Sequence, residues 1–167
     1  LKLITLLKNY TNDVVILHPS TIRDAEYLAK NLRKQDLMEV EAVGQDPLTS
    51  LTYPIHHRDA QTFTLFYGKE PVLMIGTVAE SVGLARLWML ASDNAFKRPM
   101  KLALLSRKWV DVLHKPYEIL YNYVWIENKK AVKLLQHLNC RFDKEYIKKK
   151  NLDFVKFSRC KSNKISI

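Results

Sequence analysis

Glycine is scarce in this 167-residue chain: Gly44, Gly68, Gly76 and Gly83 are the only four. The last 84 residues contain none, so a loop there lacks the residue that best lets main chain approach a phosphate closely. Cysteine is scarcer, with Cys140 and Cys160 alone. They form no Cys-x-x-Cys pair and have no His at ligand spacing. Neither a disulfide framework nor a structural zinc site is indicated, a pattern that fits a reducing compartment. No apolar run approaches the ~20 residues that cross a bilayer, so no membrane span is expected. The chain also lacks a linker, an internal repeat and a low-complexity tract. With no Gly-x-Ser-x-Gly elbow, no phosphate loop and no dinucleotide fingerprint, hydrolase and nucleotide-binding readings lose their support.

What is present is a globular composition, 47% hydrophobic and 26% charged, at a length that suits one domain. The net charge of +10 is unevenly spread. Residues 1–95 carry 9 Lys/Arg against 11 Asp/Glu, or −2, and residues 96–167 carry 18 against 6, or +12. A basic half suits a polyanionic neighbour such as nucleic acid, a phosphate-bearing cofactor or an acidic protein surface; solvated lysine-rich loops are the plainer account.

Periodicity sets the order of elements. Residues 1–12 are apolar at helical spacing and read as an N-terminal arm; a single domain follows over 13–159, and 160–167 reads as a polar tail. Val14 to Leu17 is a β-branched strand. Ser20-Thr21 offers an N-cap, with Asp24 in the first turn, for an amphipathic helix predicted over 21–34, with Ile22, Ala25, Leu28, Ala29 and Leu32 on one face. Leu37 to Val43 suits a short helix closed by Gly44, and Leu48, Leu51 and Ile55 suit another. Strands follow at 62–67, 72–78 and 84–90, the first two joined at Gly68-Lys69-Glu70. Pro99 starts a helix that runs to about Lys115, where Pro116 ends it. A strand over 119–126, a helix capped by Asn128, and a strand pair near 141–147 and 152–158 complete the chain. The order β-α-α-β-β-β-α-β-α-β-β predicts a mixed α/β layer with a strand–helix–strand crossover in its middle.

That order, with Asn128-Lys129-Lys130-Ala131 and the run to Leu138-Asn139 after a hydrophobic strand, resembles the GNAT fold of the acyl-CoA-dependent N-acetyltransferases. It is similar to the family's Asn-x-x-Ala-x-x-x-Tyr-x-x-x-Gly-Phe stretch, with Asn139 at the glycine, as a left-handed helix cap. The departures are chemical. The resemblance implies an Arg/Gln-x-x-Gly-x-Gly/Ala loop whose amides hold the pyrophosphate of acetyl-CoA; the matching residues 92–101 have no glycine, and Pro99 removes a donor. The family's tyrosine, a general acid, is Leu135 here. No Glu stands where the family's general base is often found, and Glu80 reads as part of a turn.

A narrower resemblance rests on residues 68–77, on Gly83 to Asp93 with its Trp88-centred strand, and on residues 123–139. These are similar to GNAT-like proteins of short-tailed phages of the autographivirus type, among them internal virion and tail-assembly proteins. That resemblance implies a non-catalytic structural protein of a phage particle, located in the virion. Its partners would be other virion proteins (portal, tail or internal core), in several copies, with packaged DNA near the basic half. No catalytic residue is assigned and no cofactor is expected. The alternative is an acetyl-CoA-dependent N-acetyltransferase with an atypical clamp, whose cofactor-binding residues would be Lys97, Arg98, Lys101 and Asn128. A helix start with three cations is an anion site in principle, and a solvated basic turn is the plainer account. A bare nucleic-acid binder rests on charge alone.

The remaining constellations are weaker. His56 and His57 point to opposite sides of an extended chain and read as a surface loop. His114 and His137 read as surface or helix-end residues. Tyr121, Tyr123 and Trp125 alternate on one strand; the spacing suits the core of a helix-flanked sheet, or else a platform for bases.

Overall fold

The computed structural model describes residues 15–161, so the arm expected over 1–12 and most of the expected tail lie outside the described residues. In chain order come β1 (Val15–Pro19), α1 (Ile22–Asn31), α2 (Lys34–Ala42), α3 (Pro47–His56), β2 (Ala60–Tyr67), β3 (Glu70–Ser81), β4 (Leu84–Ala91), a 3-10 turn (Asp93–Lys97), α4 (Pro99–Leu113), β5 (Ile119–Trp125), α5 (Lys129–His137), β6 (Arg141–Lys149) and β7 (Leu152–Cys160). The seven strands form one sheet in the order β1-β2-β3-β4-β5-β7-β6. Neighbours run antiparallel except β4 and β5, which are parallel because α4 carries the chain across between them.

Local hydrogen bonds mark the helix starts. The Thr21 hydroxyl accepts from the Asp24 amide and the Asp24 carboxylate from the Thr21 amide, closing a capping box on α1. Asp46 accepts from the Thr49 amide at the start of α3. Asn139 follows α5 at φ 59°, the left-handed conformation expected of it.

Two features depart from the expected pattern. The long helix over 21–34 breaks at Leu32, because the Arg33 amide donates to the Ala91 carbonyl of β4 at 3.0 Å instead of continuing the helical ladder. With α2 and α3 both formed, three helices separate β1 from β2, one more than the expected order counted.

The core has two sides. On one face α4 and α5 bury Leu102, Leu105, Trp109, Val110 and Leu134 against Leu73, Leu87, Leu120 and Val124. On the other, Ala25, Leu28 and Leu51 of α1 and α3 cover Met74, with Trp88 and Leu90 packed alongside. Each fully buried leucine contributes roughly 1.5–3 kcal/mol. Gly76 of β3 permits this second side: a Cβ there would stand 2.2 Å from the Gln61 carbonyl oxygen and 3.1 Å from the Trp88 indole.

The helices of the second face lie over β2 and β3. This corrects the core reading of Tyr121, Tyr123 and Trp125, which project from β5 on that face. Tyr123 is 40% exposed and the other two are partly buried, while the intervening Leu120 and Val124 fill the core. Glu80 lies in β3 rather than in a turn, since the strand continues to Ser81. His114 stands at the end of α4, as the helix-end alternative has it, but is buried rather than on the surface: Arg159 donates to its Nδ1 at 2.9 Å, and its Nε2 meets the Glu118 carbonyl at 3.3 Å. The strand pair at the end of the chain is longer than expected, reaching Lys149 and Cys160.

Candidate functional site

The central parallel strands pair at only three positions, Leu84↔Ile119, Ala85↔Leu120 and Arg86↔Tyr121. Beyond Arg86 and Tyr121 they part toward their C-terminal ends. A crevice at the C-terminal ends of parallel strands, outside a crossover helix, is where open α/β sheets bind ligands. Its walls are main-chain donors and acceptors with no ladder partner, so the question is what satisfies them.

Here the chain satisfies several of them itself. Next to the last ladder pair, Asn122 of β5 reaches across to donate to the Leu87 carbonyl of β4 at 2.9 Å. At the far end of β4 the Ala91 amide donates to Asp36 Oδ2 at 2.8 Å. At the far end of β5 the Trp125 amide donates to Glu39 Oε1 at 3.3 Å. Both acceptors belong to α2, which therefore bridges the two strands across their gap. Asn128 joins them: Nδ2 donates to Glu39 Oε1 at 2.7 Å and to Asp36 Oδ1 at 3.4 Å, while Oδ1 accepts from the Ala131 amide to cap α5.

The charge in this plug is balanced by Arg33, buried to 2% exposure, whose Nη2 lies 2.5 Å from Asp36 Oδ1. Its guanidinium stacks 4.3 Å from the Phe96 ring centroid, in the turn that leads into α4. Arg33 Nε and Nη1 have no hydrogen-bond partner among the described residues. Burial raises the Asp36 carboxyl, with the Arg33 charge opposing it. Burial also pushes Glu39 up to about 7, against the hydrogen bond from Asn128.

The residues singled out from sequence separate into two groups. Lys97, Arg98 and Lys101 do come together at the start of α4, Lys97 and Arg98 exposed and Lys101 partly so. The Arg98 guanidinium lies 5.8 Å from the Tyr67 ring centroid, and Lys130 of α5 reaches within 5.6 Å of Phe96. Asn128 is elsewhere: it is 1% exposed and committed to the plug. The mouth of α4 suits a diphosphate poorly. Pro99 occupies its first position without an N–H, and the crevice behind it already holds two carboxylates. Leu135 is partly buried against the core beside α4.

Arg33, Asp36 and Glu39 were missed by the sequence reading. Their spacing of three places them on one face of a helix, which is legible. What they face is not. Glu80 was noticed but misplaced: it accepts from the Tyr121 hydroxyl and pairs with Arg86. Among the described residues no group of three or more His, Cys, Asp or Glu side chains is placed to hold a metal, and no helix is long and apolar enough to cross a membrane.

This arrangement of strands and helices is the GNAT acetyltransferase fold. An acetyltransferase from Thermus thermophilus superposes with a TM-score of 0.60 at 21% identity, over 88% of this chain and 97% of that one. Spermidine N-acetyltransferase from Vibrio cholerae, solved with CoA and spermine, gives 0.66 at 14% identity over 89% and 96%. A GNAT-family acetyltransferase from Bacillus anthracis gives 0.66 at 11% identity over 87% and 94%. At these identities the likeness is one of fold. In sequence, residues 70–147 match a family model described as "Bacteriophage T7, probable scaffold protein Gp13". A comparison with curated proteins finds no match.

Proposed function

We propose that the chain is a non-catalytic GNAT-fold assembly protein of a phage particle, bound to other virion proteins and located in the virion. The observation that carries this reading is the plug. The main-chain donors of Ala91 and Trp125, which line the crevice between β4 and β5, are taken by Asp36 and Glu39 of the same chain. An acyl carrier entering there would have to displace a buried ion pair, and breaking such a pair costs roughly 3–5 kcal/mol. The likeness of residues 70–147 to a phage scaffold family supports the virion setting, as does Leu135 where the fold's enzymes carry a tyrosine. Packaged DNA suits the basic half, and portal, tail or internal core proteins are its partners in this reading. Isothermal titration with acetyl-CoA tests it: no heat of binding is expected, and micromolar affinity would overturn it.

A second reading, an acetyl-CoA-dependent N-acetyltransferase, is favoured by Glu39. A carboxyl near pKa 7 at a strand crevice is suited to accept a proton from an amine. It expects acetyl transfer to some member of a broad amine panel, abolished by joint replacement of Lys97, Arg98 and Lys101 with Ala. Absence of transfer by the unmodified protein removes it.

A further inference from the structure

Among the described residues, half of one sheet face is left uncovered, apart from the plug. On the face that carries α1 and α3, those helices lie over β2 and β3 and leave a groove of about 380 Å³ above β5 and β7. Leu84, Ile119 and Cys160 lie at one end of it, and Tyr121, Ser158, Tyr123 and Lys156 line the rest. Lys156 stands directly across from Tyr123 in the ladder, with its ammonium 5.2 Å from the Tyr121 ring. Further along β6, Arg141 and Lys149 are exposed and share this face, opposite Ser158 and Leu152. Of the nearby acids, Glu80 is engaged by Arg86 and Tyr121 and Glu118 by Lys161, while Asp143 and Glu145 stand exposed in the irregular stretch of β6 beside Lys156. The groove itself is aromatic and cationic.

The exposed Tyr123 ring, with the partly buried Tyr121 ring beside Lys156 and Arg86, supplies the elements of a stacking platform. Tyr121 and Tyr123 are two residues apart, about 6.6 Å along the strand. A duplex hides its base faces and presents phosphates, so it gains nothing from the rings; an extended single strand can place a base on each. We propose that this face binds single-stranded nucleic acid, with bases stacked on Tyr123 and Tyr121 and phosphates against Lys156, Arg141 and Lys149. The site stands whether or not the chain binds acetyl-CoA.

Fluorescence anisotropy with the whole chain and a labelled oligothymidine of about 15 nucleotides tests this, with a duplex of equal length as competitor. The single strand is expected to bind more tightly than the duplex. Tyr123→Ala and Tyr123→Leu should each weaken it about tenfold, and Tyr123→Phe should not. Lys156→Ala should reduce the slope of log affinity on log salt by about 0.7. The joint Lys97→Ala, Arg98→Ala, Lys101→Ala variant should bind as well as the parent. Absence of binding, equal affinity for duplex, or indifference to both Tyr123→Ala and Tyr123→Leu would overturn the proposal. If polyglutamate displaces the oligonucleotide at equal charge from parent and Tyr123→Ala alike, the face is an acidic-protein surface and the proposal also falls.

Discussion

Asp36 accepts the main-chain N–H of Ala91 at 2.8 Å, while the Arg33 amide, three residues earlier, donates to the Ala91 carbonyl at 3.0 Å. Residues 33–36 thus pair with the end of β4 on both of its polar groups, where a neighbouring strand would otherwise stand. The break between α1 and α2, the burial of Arg33 and the closure of the crevice all follow from that pairing.

The first prediction concerns the pair itself. Asp36→Ala leaves the Arg33 guanidinium charged in the interior and the Ala91 amide without an acceptor. A loss of about 3–5 kcal/mol is expected, read as a lower urea midpoint at unchanged slope. A loss below about 1 kcal/mol would mean that the plug is only a surface contact.

Protonation of Glu39 sets a second expectation. Its pKa is about 7 when folded, against an ordinary value of 4.5. A raised carboxyl stabilises the fold fully below about pH 4.5, and that contribution disappears as pH rises through 7. His114 acts in the opposite sense. Burial lowers its pKa from 6.5, so its contribution is present above 6.5 and falls away as pH drops below it. Denaturation of the parent and of Glu39→Gln across this range separates the two. The parent should lose stability relative to the variant as pH rises from 5 to 7.5, and parallel curves would show Glu39 to titrate normally.

Gly76 provides a packing test. Ala at this position puts a methyl group 2.2 Å from the Gln61 carbonyl oxygen and against the Trp88 ring. Backbone cannot yield as a flexible side chain does, so Gly76→Ala should cost about 3 kcal/mol. Thermal unfolding followed by tryptophan fluorescence measures it.

The turn after α5 offers a milder one. Asn139 sits at φ 59°, where a Cβ is strained. Asn139→Ala should cost about 1 kcal/mol and Asn139→Gly should be neutral or stabilising. Equal loss in both variants would point to the side chain rather than the backbone angle.

Much of the fold could be read along the chain, because its signals are local. Thr21 with Asp24, Pro99, Asn128 and Asn139 mark helix ends through hydrogen bonds or dihedral limits that span a few residues. The apolar strands and the glycine-free stretch after Gly83 were visible in the same way. Tertiary pairing decided the rest. Nothing near Arg33 announces that its amide will meet Ala91, 58 residues away, nor that Asp36 and Glu39 will occupy the gap between β4 and β5. Tyr121 and Tyr123 alternate like core residues. Among the described residues Tyr123 stands exposed and Tyr121 partly so because α1 and α3 settle over other strands, and coverage of a sheet is set by where distant helices pack rather than by any property of the strand.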